Sequence, residues 1–248
     1  MTNAIDFFTK VYGKAPDWVV KMNTYNPEAL EAYTELRHGI LKDGALSRKE
    51  KECILVGINA ARRYERSMIY HTQGAVDAGA TLEELAEILS VCILSRGLPT
   101  WLEGIKSLAF AANYMKENDY SMDHQETEIQ SVNKNEFKNL NDCLEYYRSM
   151  FGSEPKWVTD LAEYHPDALL HYTNLRNVNL TDGKVSRKLK ELVLVGINTS
   201  ERYPEGIRIH TEGARSCGAT EAELAECHLT AVLTAGIPAW FEGADLLK

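Results

Sequence analysis

The sequence has no long hydrophobic run. Its longest largely apolar stretches, Cys53 to Ala61 and Ile88 to Leu94, are far shorter than the roughly 20 residues that cross a bilayer as a helix. No basic segment followed by an apolar one stands at the N-terminus, so a signal peptide is not predicted either. We therefore expect no membrane partner.

Cysteine is scarce and irregularly placed. The five cysteines contain no CxxC pair, and none recurs at a regular spacing: Cys53, Cys92, Cys143, Cys217 and Cys227. An odd set of this kind predicts neither a disulfide framework nor a zinc site. A reducing, cytoplasmic location is the expectation that follows.

Basic residues are also fewer than acidic residues. The chain has 27 Lys and Arg against 36 Asp and Glu, a formal net charge of -9, and no dense basic block. This balance opposes binding to the phosphate backbone of nucleic acids, so nucleic acid is not expected as a partner.

What the sequence does contain is a duplication. Many residues recur 139 positions later, including Gly13, Pro16 and Trp18 as Gly152, Pro155 and Trp157. The segment Val-Gly-Ile-Asn stands at 56–59 and again at 195–198. Nearly half the positions match without a gap between residues 6 and 108 and their counterparts, so the chain consists of two copies of one unit.

The signals inside each copy are helical. Asn26 followed by Pro27 predicts a helix running to about Leu41, and Ser47 with Glu50 predicts a capping box. The same box is predicted at Thr81 and Thr220, whereas Ser186 keeps the cap without the reciprocal glutamate. The helix after Ser47 is apolar nearly all round and should be central. No run alternates with period 2, so we predict an all-α fold with little or no sheet.

A polar segment separates the two copies. It holds almost no aliphatic residues and has the composition of a linker that buries too little apolar surface to order itself. We place the first repeat at 1–116, the linker at 117–136 and the second repeat at 137–248.

A glutamate and a histidine recur in both copies with the same separation. Glu52 and His71 are 19 residues apart, as are Glu191 and His210. A tight turn between their helices would bring the two side chains face to face. A carboxylate beside an imidazole in an apolar bundle suits proton transfer, because burial and mutual charge move both pKa values toward neutrality.

Two other interpretations of this pair remain open. It could be a satisfied buried polar contact that only fixes packing. It could hold a metal, but one Glu and one His per copy fall short of the usual three or four ligands, so we expect no metal and no cofactor. The histidines without a repeat partner, His38, His124, His165, His171 and His228, are interpreted as surface or incidental. The tryptophans shared by the two copies are expected to pack in a core or interface.

The motif order resembles a known superfamily. The Glu and the His 19 residues later are followed by Gly-Ala, by a helix start at Ala78–Thr81 or Cys217–Thr220, and by Gly-x-Pro at 97–99 or 236–238. This order is similar to that of the carboxymuconolactone decarboxylase and alkylhydroperoxidase D-like superfamily, over nearly all of both repeats. The fold class implied is an all-α tandem duplication of the alkylhydroperoxidase D-like helical bundle.

The resemblance also separates two chemistries. In the peroxidase branch, a CxxC ending four residues before the histidine does the thiol chemistry. Here those positions hold Tyr64 and Ser67 in the first copy and Tyr203 and Gly206 in the second, so a CxxC peroxidase is not expected.

The decarboxylase-like branch implies a cofactor-independent lyase or isomerase acting on a small anionic carbonyl or lactone substrate. His71 and His210 would transfer the proton, while Glu52 and Glu191 would orient the imidazole. The expected substrate-binding residues are Tyr64, Tyr203, Arg63, Arg202 and Ser67. The alternative is a non-catalytic ligand-binding or assembly protein on the same scaffold.

The two copies are not equivalent, and assembly is expected. Arg62, Ser67 and Arg96 become Glu201, Gly206 and Ala235, so the first site would be more cationic and the second roomier. This difference favours slightly the first copy as the active one. Members of this superfamily commonly form rings with sixfold or pseudo-sixfold symmetry, which implies a homo-oligomer here, either a trimer that mimics a hexamer or a dimer.

Overall fold

The computed structural model describes residues 3–120 and 137–248. The first repeat contains α1 (Ala4–Tyr12), α2 (Asp17–Tyr25), α3 (Pro27–Leu41), α4 (Arg48–Ala61), α5 (Glu65–Asp77), α6 (Leu82–Val91), α7 (Ile93–Arg96) and α8 (Leu98–Glu117). The second contains α9 (Leu140–Phe151), α10 (Lys156–Tyr164), α11 (Pro166–Leu180), α12 (Arg187–Ser200), α13 (Pro204–Ser216), α14 (Glu221–Ala235) and α15 (Ile237–Ala244).

The helices of the second repeat follow those of the first in the same order. The α14 helix spans the counterparts of both α6 and α7, and α15 starts at the position equivalent to the start of α8. Within the described residues there is no β-strand, and no helix is both long and apolar enough to cross a membrane. The predicted all-α tandem duplication is confirmed.

Local capping explains where several of these helices begin. Ser47, Thr81 and Thr220 each form the predicted capping box with a glutamate three residues on. Ser186 accepts a hydrogen bond from the Leu189 backbone N–H without a reciprocal partner, as expected. These caps satisfy backbone N–H groups that a helix start leaves unpaired.

The chain divides into two compact units, Met1–Gly44 and Ala45–Lys248. The first has its own small core of Ala4, Phe8, Val19 and Leu30. Trp18 packs edge-on against Phe8 in this core, as predicted for a structural tryptophan. These units differ from the predicted repeats. Of the predicted linker, 117–136, the first residue ends α8 and residues 121–136 lie outside the described part of the chain.

In the second unit, the buried helices α4 and α12 of the two repeats pack against each other. Glycine makes the close approach possible: a Cβ atom at Gly57 would lie 2.6 Å from Val193, and one at Gly196 would lie 2.7 Å from Ile54. Both distances are shorter than carbon atoms tolerate. The two copies therefore share one core in this unit instead of folding as separate bundles.

Two ion clusters of the same design join the repeats. Glu226 accepts hydrogen bonds from the backbone N–H groups of Ala45 and Leu46, at 3.0 and 2.8 Å, and pairs with the buried Lys51 at 2.9 Å. At the equivalent place, Glu87 accepts from the N–H groups of Lys184 and Val185, at 2.9 and 3.1 Å, and pairs with Lys190 at 2.8 Å. We call these two arrangements the glutamate clamps.

Candidate functional site

The structure brings the predicted glutamate and histidine together in both repeats. The His71 and His210 imidazoles lie with Nδ1 at 2.7 and 2.8 Å from Oε2 of Glu52 and Glu191, respectively. The glutamates are fully buried on α4 and α12, and the histidines are nearly so on α5 and α13. Since Nδ1 is used by the carboxylate, Nε2 is the ring nitrogen left to meet a ligand.

A tight turn folds each helix pair antiparallel. Arg63 and Arg202 stand in these turns with φ of 55° and 54°, a left-handed conformation that is uncommon for residues other than glycine. Their side chains are solvent-exposed. The Arg202 guanidinium donates to the carbonyl oxygen of Ala235 at 3.1 Å.

A glycine makes room for each carboxylate. A Cβ atom at Gly213 would lie 2.7 Å from Cδ of Glu191, and one at Gly74 would lie 2.5 Å from Oε1 of Glu52. These are the glycines of the Gly-Ala pair that follows the histidine in each repeat. Because these glycines have no side chain, the glutamate carboxylate of one helix can contact the backbone of the next helix.

Arginines surround the buried carboxylate of the second repeat. Oε1 of Glu191 lies 3.7 Å from Nη2 of Arg176 and 3.8 Å from Nη2 of Arg187. Burial acts to raise the pKa of Glu191, but the hydrogen bond and charge of His210, with those two arginines, hold the pKa below its ordinary value. In the first repeat, Arg48 lies 3.7 Å from the Glu52 carboxylate.

Burial has the opposite consequence for the histidine. It lowers the pKa of His210, the contact with Glu191 opposes that effect only in part, and the charge of Arg176 lowers the pKa further. At neutral pH the imidazole is therefore neutral beside an ionised carboxylate. This state, with Nδ1–H donated to the carboxylate and a lone pair on Nε2, is that of a general base.

A cavity of about 280 Å³ opens onto His210. Its walls are mainly aromatic and aliphatic, with a few polar side chains, a lining typical of small-molecule sites. The lining residues are Leu94, Ser95, Arg96, Tyr147, Phe151, Trp157, Leu161, Tyr172, Arg176, Asn198, Tyr203, Glu205, Gly206, Ile209 and His210. All of them belong to the unit Ala45–Lys248.

Only some of the predicted substrate-binding residues line this cavity. Tyr203 lines this cavity although half of its surface is exposed, whereas Arg202 is not among the lining residues. In the first repeat, Tyr64 is similarly exposed and Ser67 is half-buried on α5. A Cβ atom at Gly206, the counterpart of Ser67, would collide with Asn198 and Tyr203. The glycine thus lets both side chains lie close to the backbone of α13.

Several residues that line the cavity were not predicted from the sequence. Arg176 and Asn198 stand in segments that repeat between the copies, with counterparts Arg37 and Asn59, and that repetition could have marked them. Trp157, expected to be purely structural, packs edge-on against Tyr147 and Tyr172 and also lines the cavity. Arg96, expected to make the site of the first repeat more cationic, lines the cavity of the second repeat.

His228, interpreted from the sequence as surface or incidental, does not lie at the surface. It is fully buried on α14, and its Nδ1 lies 2.9 Å from the hydroxyl of Thr199. Burial lowers its pKa to about 4, so the imidazole is neutral. It lies outside the cavity lining. Across residues 3–120 and 137–248, no group of three or more His, Cys, Asp or Glu side chains is arranged to hold a metal ion.

Fold and site together define a tandem all-α protein with a buried Glu–His pair in each copy. The chain belongs to the carboxymuconolactone decarboxylase family, whose family model matches it twice, over residues 27–109 and 166–248. The resemblance predicted from the motifs is confirmed.

Similar proteins match either about a third of the chain or nearly all of it. A Burkholderia xenovorans LB400 protein, provisionally named a gamma-carboxymuconolactone decarboxylase subunit, has a crystal structure that matches with a TM-score of 0.69 at 21% identity, over 98% of this chain and 94% of that one. This likeness shows the shared fold. An uncharacterised Cupriavidus necator protein is 31% identical over 84 residues, 34% of this chain and 74% of that protein. An uncharacterised Methanocaldococcus jannaschii protein is 26% identical over 90 residues, 36% of this chain and 82% of that protein.

Proposed function

We propose that this protein is a cofactor-independent lyase or isomerase that moves a proton on a small anionic carbonyl or lactone compound, and that its second repeat is an active site. The observation that carries the proposal is the cavity that contains both His210 and Tyr203. A pair with a purely structural role would not require an open space beside the imidazole.

The proposed roles follow from the geometry of this cavity. Nε2 of His210 removes or delivers a proton at a substrate carbon, while Glu191 fixes the imidazole through Nδ1. The Tyr203 hydroxyl and the Asn198 amide, both of residues that line the cavity, would stabilise a developing enolate oxygen. Arg176, instead of the predicted Arg202, lies where it can pair with a substrate carboxylate.

Two reactions fit this arrangement. In an isomerisation, Nε2 takes a proton from the carbon next to the carbonyl group and returns it to another carbon, with no net proton used. In a decarboxylation, the bond to the carboxylate carbon breaks, CO2 leaves, and the electron pair forms an enolate. The enolate carbon then receives a proton that comes from solvent through the imidazole.

Thiol chemistry is not part of the proposal. The CxxC positions are Tyr203 and Gly206 here, and no cysteine is among the residues that line the cavity. Cys53, Cys92 and Cys227 are buried, which raises the pKa of each thiol to about 12. A thiol in this state is a poor nucleophile at neutral pH.

The test is to assay a panel of carboxylated lactones and keto acids with His210→Ala and His71→Ala side by side. We expect His210→Ala to lower kcat/KM by about a hundredfold or more, the usual range for a general base, while the change with His71→Ala shows whether the first repeat contributes. Ligand-dependent NMR shifts of the His210 imidazole, measured in parallel, report binding. Binding without turnover of any panel member would reject the enzyme in favour of a ligand-binding protein.

A further inference from the structure

The two repeats meet around an approximate twofold axis. The contacts between α4 and α12 and the two glutamate clamps are reciprocal, since each contact made by one repeat is made by the other with the roles exchanged. Arg62 and Glu201 occupy equivalent positions at the ends of α4 and α12. Nε of Arg62 lies 3.9 Å from Oε1 of Glu201. Because a residue comes this close to its own counterpart only near the axis, the axis passes beside this pair.

Three arginines converge at this point. Arg62 and Arg202 donate to the carbonyl oxygens of two consecutive residues at the end of α14, at 2.8 and 3.1 Å. Since those residues are adjacent in the chain, the two guanidinium groups lie close together. Nη2 of Arg96 lies 3.8 Å from Oε2 of Glu201. We call these four residues, Arg62, Arg96, Arg202 and Glu201, the axial arginine cluster, in which three guanidinium groups face one carboxylate.

The cluster is accessible and keeps donors that the described residues do not use. Arg62 and Arg202 are exposed, and the side chain of Arg96 is 30% exposed. A guanidinium group has five N–H donors. Within the described part of the chain, Arg62 uses Nη1 and Arg202 uses Nη2 in hydrogen bonds, whereas the separations from Glu201 exceed hydrogen-bond length. Several charged donors are therefore available to a ligand.

The backbone gives a second reason to assign a role to these side chains. Arg202 and its counterpart Arg63 follow the ends of α12 and α4 with φ of 54° and 55°. Glycine or asparagine is usual at such a position, because a Cβ atom is unfavourable there. Glycine would make either turn at a lower conformational cost, so the turn itself does not explain an arginine. The excess of positive charge is also local, since the whole chain has a formal net charge of -9.

We propose that the axial arginine cluster binds an oligophosphate chain, either inorganic or that of a nucleoside triphosphate. Guanidinium groups pair with phosphate oxygens through parallel N–H bonds. An oligophosphate has an anionic group at every link, which suits guanidinium groups held close together at consecutive carbonyl groups. Arg62 and Arg202 do not line the cavity beside His210. The proposal is therefore independent of the proposed function.

The test measures the binding of inorganic tripolyphosphate to the full chain by isothermal titration calorimetry. Affinity should be highest at about 20 mM salt and should fall toward about 150 mM, because these charges are exposed to screening. Butane-1,2,3,4-tetracarboxylate carries a similar charge on more widely separated groups and should bind more weakly. ATP, titrated without a metal, distinguishes the two sources. Tighter binding of ATP than of tripolyphosphate assigns the site to a nucleotide, and equal or weaker binding assigns it to the inorganic chain.

Variants of the cluster should change the affinity in opposite directions. Arg62→Gln should weaken tripolyphosphate binding about fivefold, the scale of an exposed ion pair. Glu201→Gln should strengthen it by a similar factor, because it removes the carboxylate that repels the ligand. Arg148→Gln is the matched control, since it makes the same charge change at an arginine of α9 whose side chain is 57% exposed.

Arg202→Gly separates ligand binding from a purely structural role. This variant should weaken tripolyphosphate binding while the midpoint of urea unfolding stays the same or rises, because glycine suits the left-handed turn. An arginine that only caps the end of α14 predicts a lower midpoint and no change in binding. The same unfolding measurement shows that every other variant is folded.

Four results would each overturn the proposal: no binding of tripolyphosphate by the wild type at low salt, equal affinity for the tetracarboxylate, equal losses in Arg62→Gln and Arg148→Gln, or an unchanged affinity in Glu201→Gln. The arginines would then be caps of α14 and nothing more. No turnover enters these measurements, so a failure of the proposed lyase or isomerase would not change their outcome.

Discussion

At the scale of single residues, Arg176 would link substrate binding to the protonation of His210, the proposed base. Its guanidinium is buried, lies 3.7 Å from the Glu191 carboxylate and lines the cavity. Its charge is one reason, after burial, why the pKa of His210 lies below its ordinary value. Removing that charge should therefore raise the pKa of His210.

Arg176→Gln should move the acid limb of the kcat/KM profile to higher pH. In the proposed mechanism His210 acts as a base in its neutral form, so activity should fall as pH drops through its pKa. A raised pKa should bring that fall closer to neutrality. We also expect KM to rise by roughly tenfold, since a charge-assisted hydrogen bond is lost. Arg187→Gln is the matched control, because Arg187 is equally near Glu191 but outside the lining. An acid limb that moves equally in both variants would contradict the role given to Arg176.

Sequence reasoning reached part of this site. The Glu–His spacing and the turn between their helices were enough to predict that Glu191 lies beside His210. This was possible because the positions of both helices can be predicted from the sequence. The position of Arg176 in the cavity wall was not predicted, because Arg176 lies on α11. A local motif does not show which helices pack together. Arg202 was considered as an anchor because it is near in sequence, yet its turn directs the guanidinium to the carbonyl of Ala235.

At the scale of the elements, the contact between α12 and α14 differs from its counterpart between α4 and α6. The second repeat has Thr199 and His228 where the first has Ala60 and Leu89. A glycine on the following helix packs on each: Gly243 against the imidazole and Gly104 against Leu89. The second repeat thus contains a buried titratable group that the first repeat lacks.

This difference predicts a pH-dependent stability. Burial lowers the folded pKa of His228 to about 4, whereas an unfolded histidine has a pKa near 6.5. The unfolded chain therefore takes up a proton first as pH falls. Above about pH 6.5 this histidine does not lower the free energy of unfolding. As pH falls from about 6.5 to about 4, the free energy of unfolding decreases by roughly 3 kcal/mol because of this group.

The double variant Thr199→Ala/His228→Leu, which copies the first repeat, should remove this contribution. Urea unfolding at pH 7.5 and pH 5 should show a smaller loss of unfolding free energy on acidification than in the wild type. His171→Gln, which replaces an exposed histidine, should keep the wild-type loss. If the double variant keeps it too, His228 is not the group responsible.

The order of helices and their caps could be predicted because both depend on local chemistry. The capping boxes at Ser47, Thr81 and Thr220 formed as expected, since a hydroxyl and a glutamate three residues apart suffice. The shared core of α4 and α12 could not be predicted in detail. A helix that is apolar all round shows that it is buried, but not which helix covers it.

At the scale of the whole molecule, the glutamate clamps hold the two repeats together within the unit Ala45–Lys248. Each clamp satisfies two backbone N–H groups and a buried lysine with one carboxylate. Several hydrogen bonds and the lysine lower the pKa values of Glu87 and Glu226 against the effect of burial. Both carboxylates are thus ionised at neutral pH.

Glu87→Gln should destabilise the protein by about 3 kcal/mol, because it leaves the buried Lys190 without its counter-ion. Adding Lys190→Met should recover much of that loss, since the uncompensated charge is then gone. Glu226→Gln should cost a similar amount, and chemical denaturation provides the measurement. Glu145→Gln, at an exposed position on α9, is the control. A double variant no more stable than Glu87→Gln alone would show that the charge pair is not what matters.

The covalent joining of the two repeats also frees them to diverge. A protein with one repeat per chain that paired symmetrically would carry every substitution at both sites, so a gain at one would be repeated at the other. Here one gene encodes both halves, and position 96 can hold arginine while position 235 holds alanine. Either half can therefore be modified to serve its partner's cavity, an evolutionary freedom that a symmetric pair of identical chains does not have.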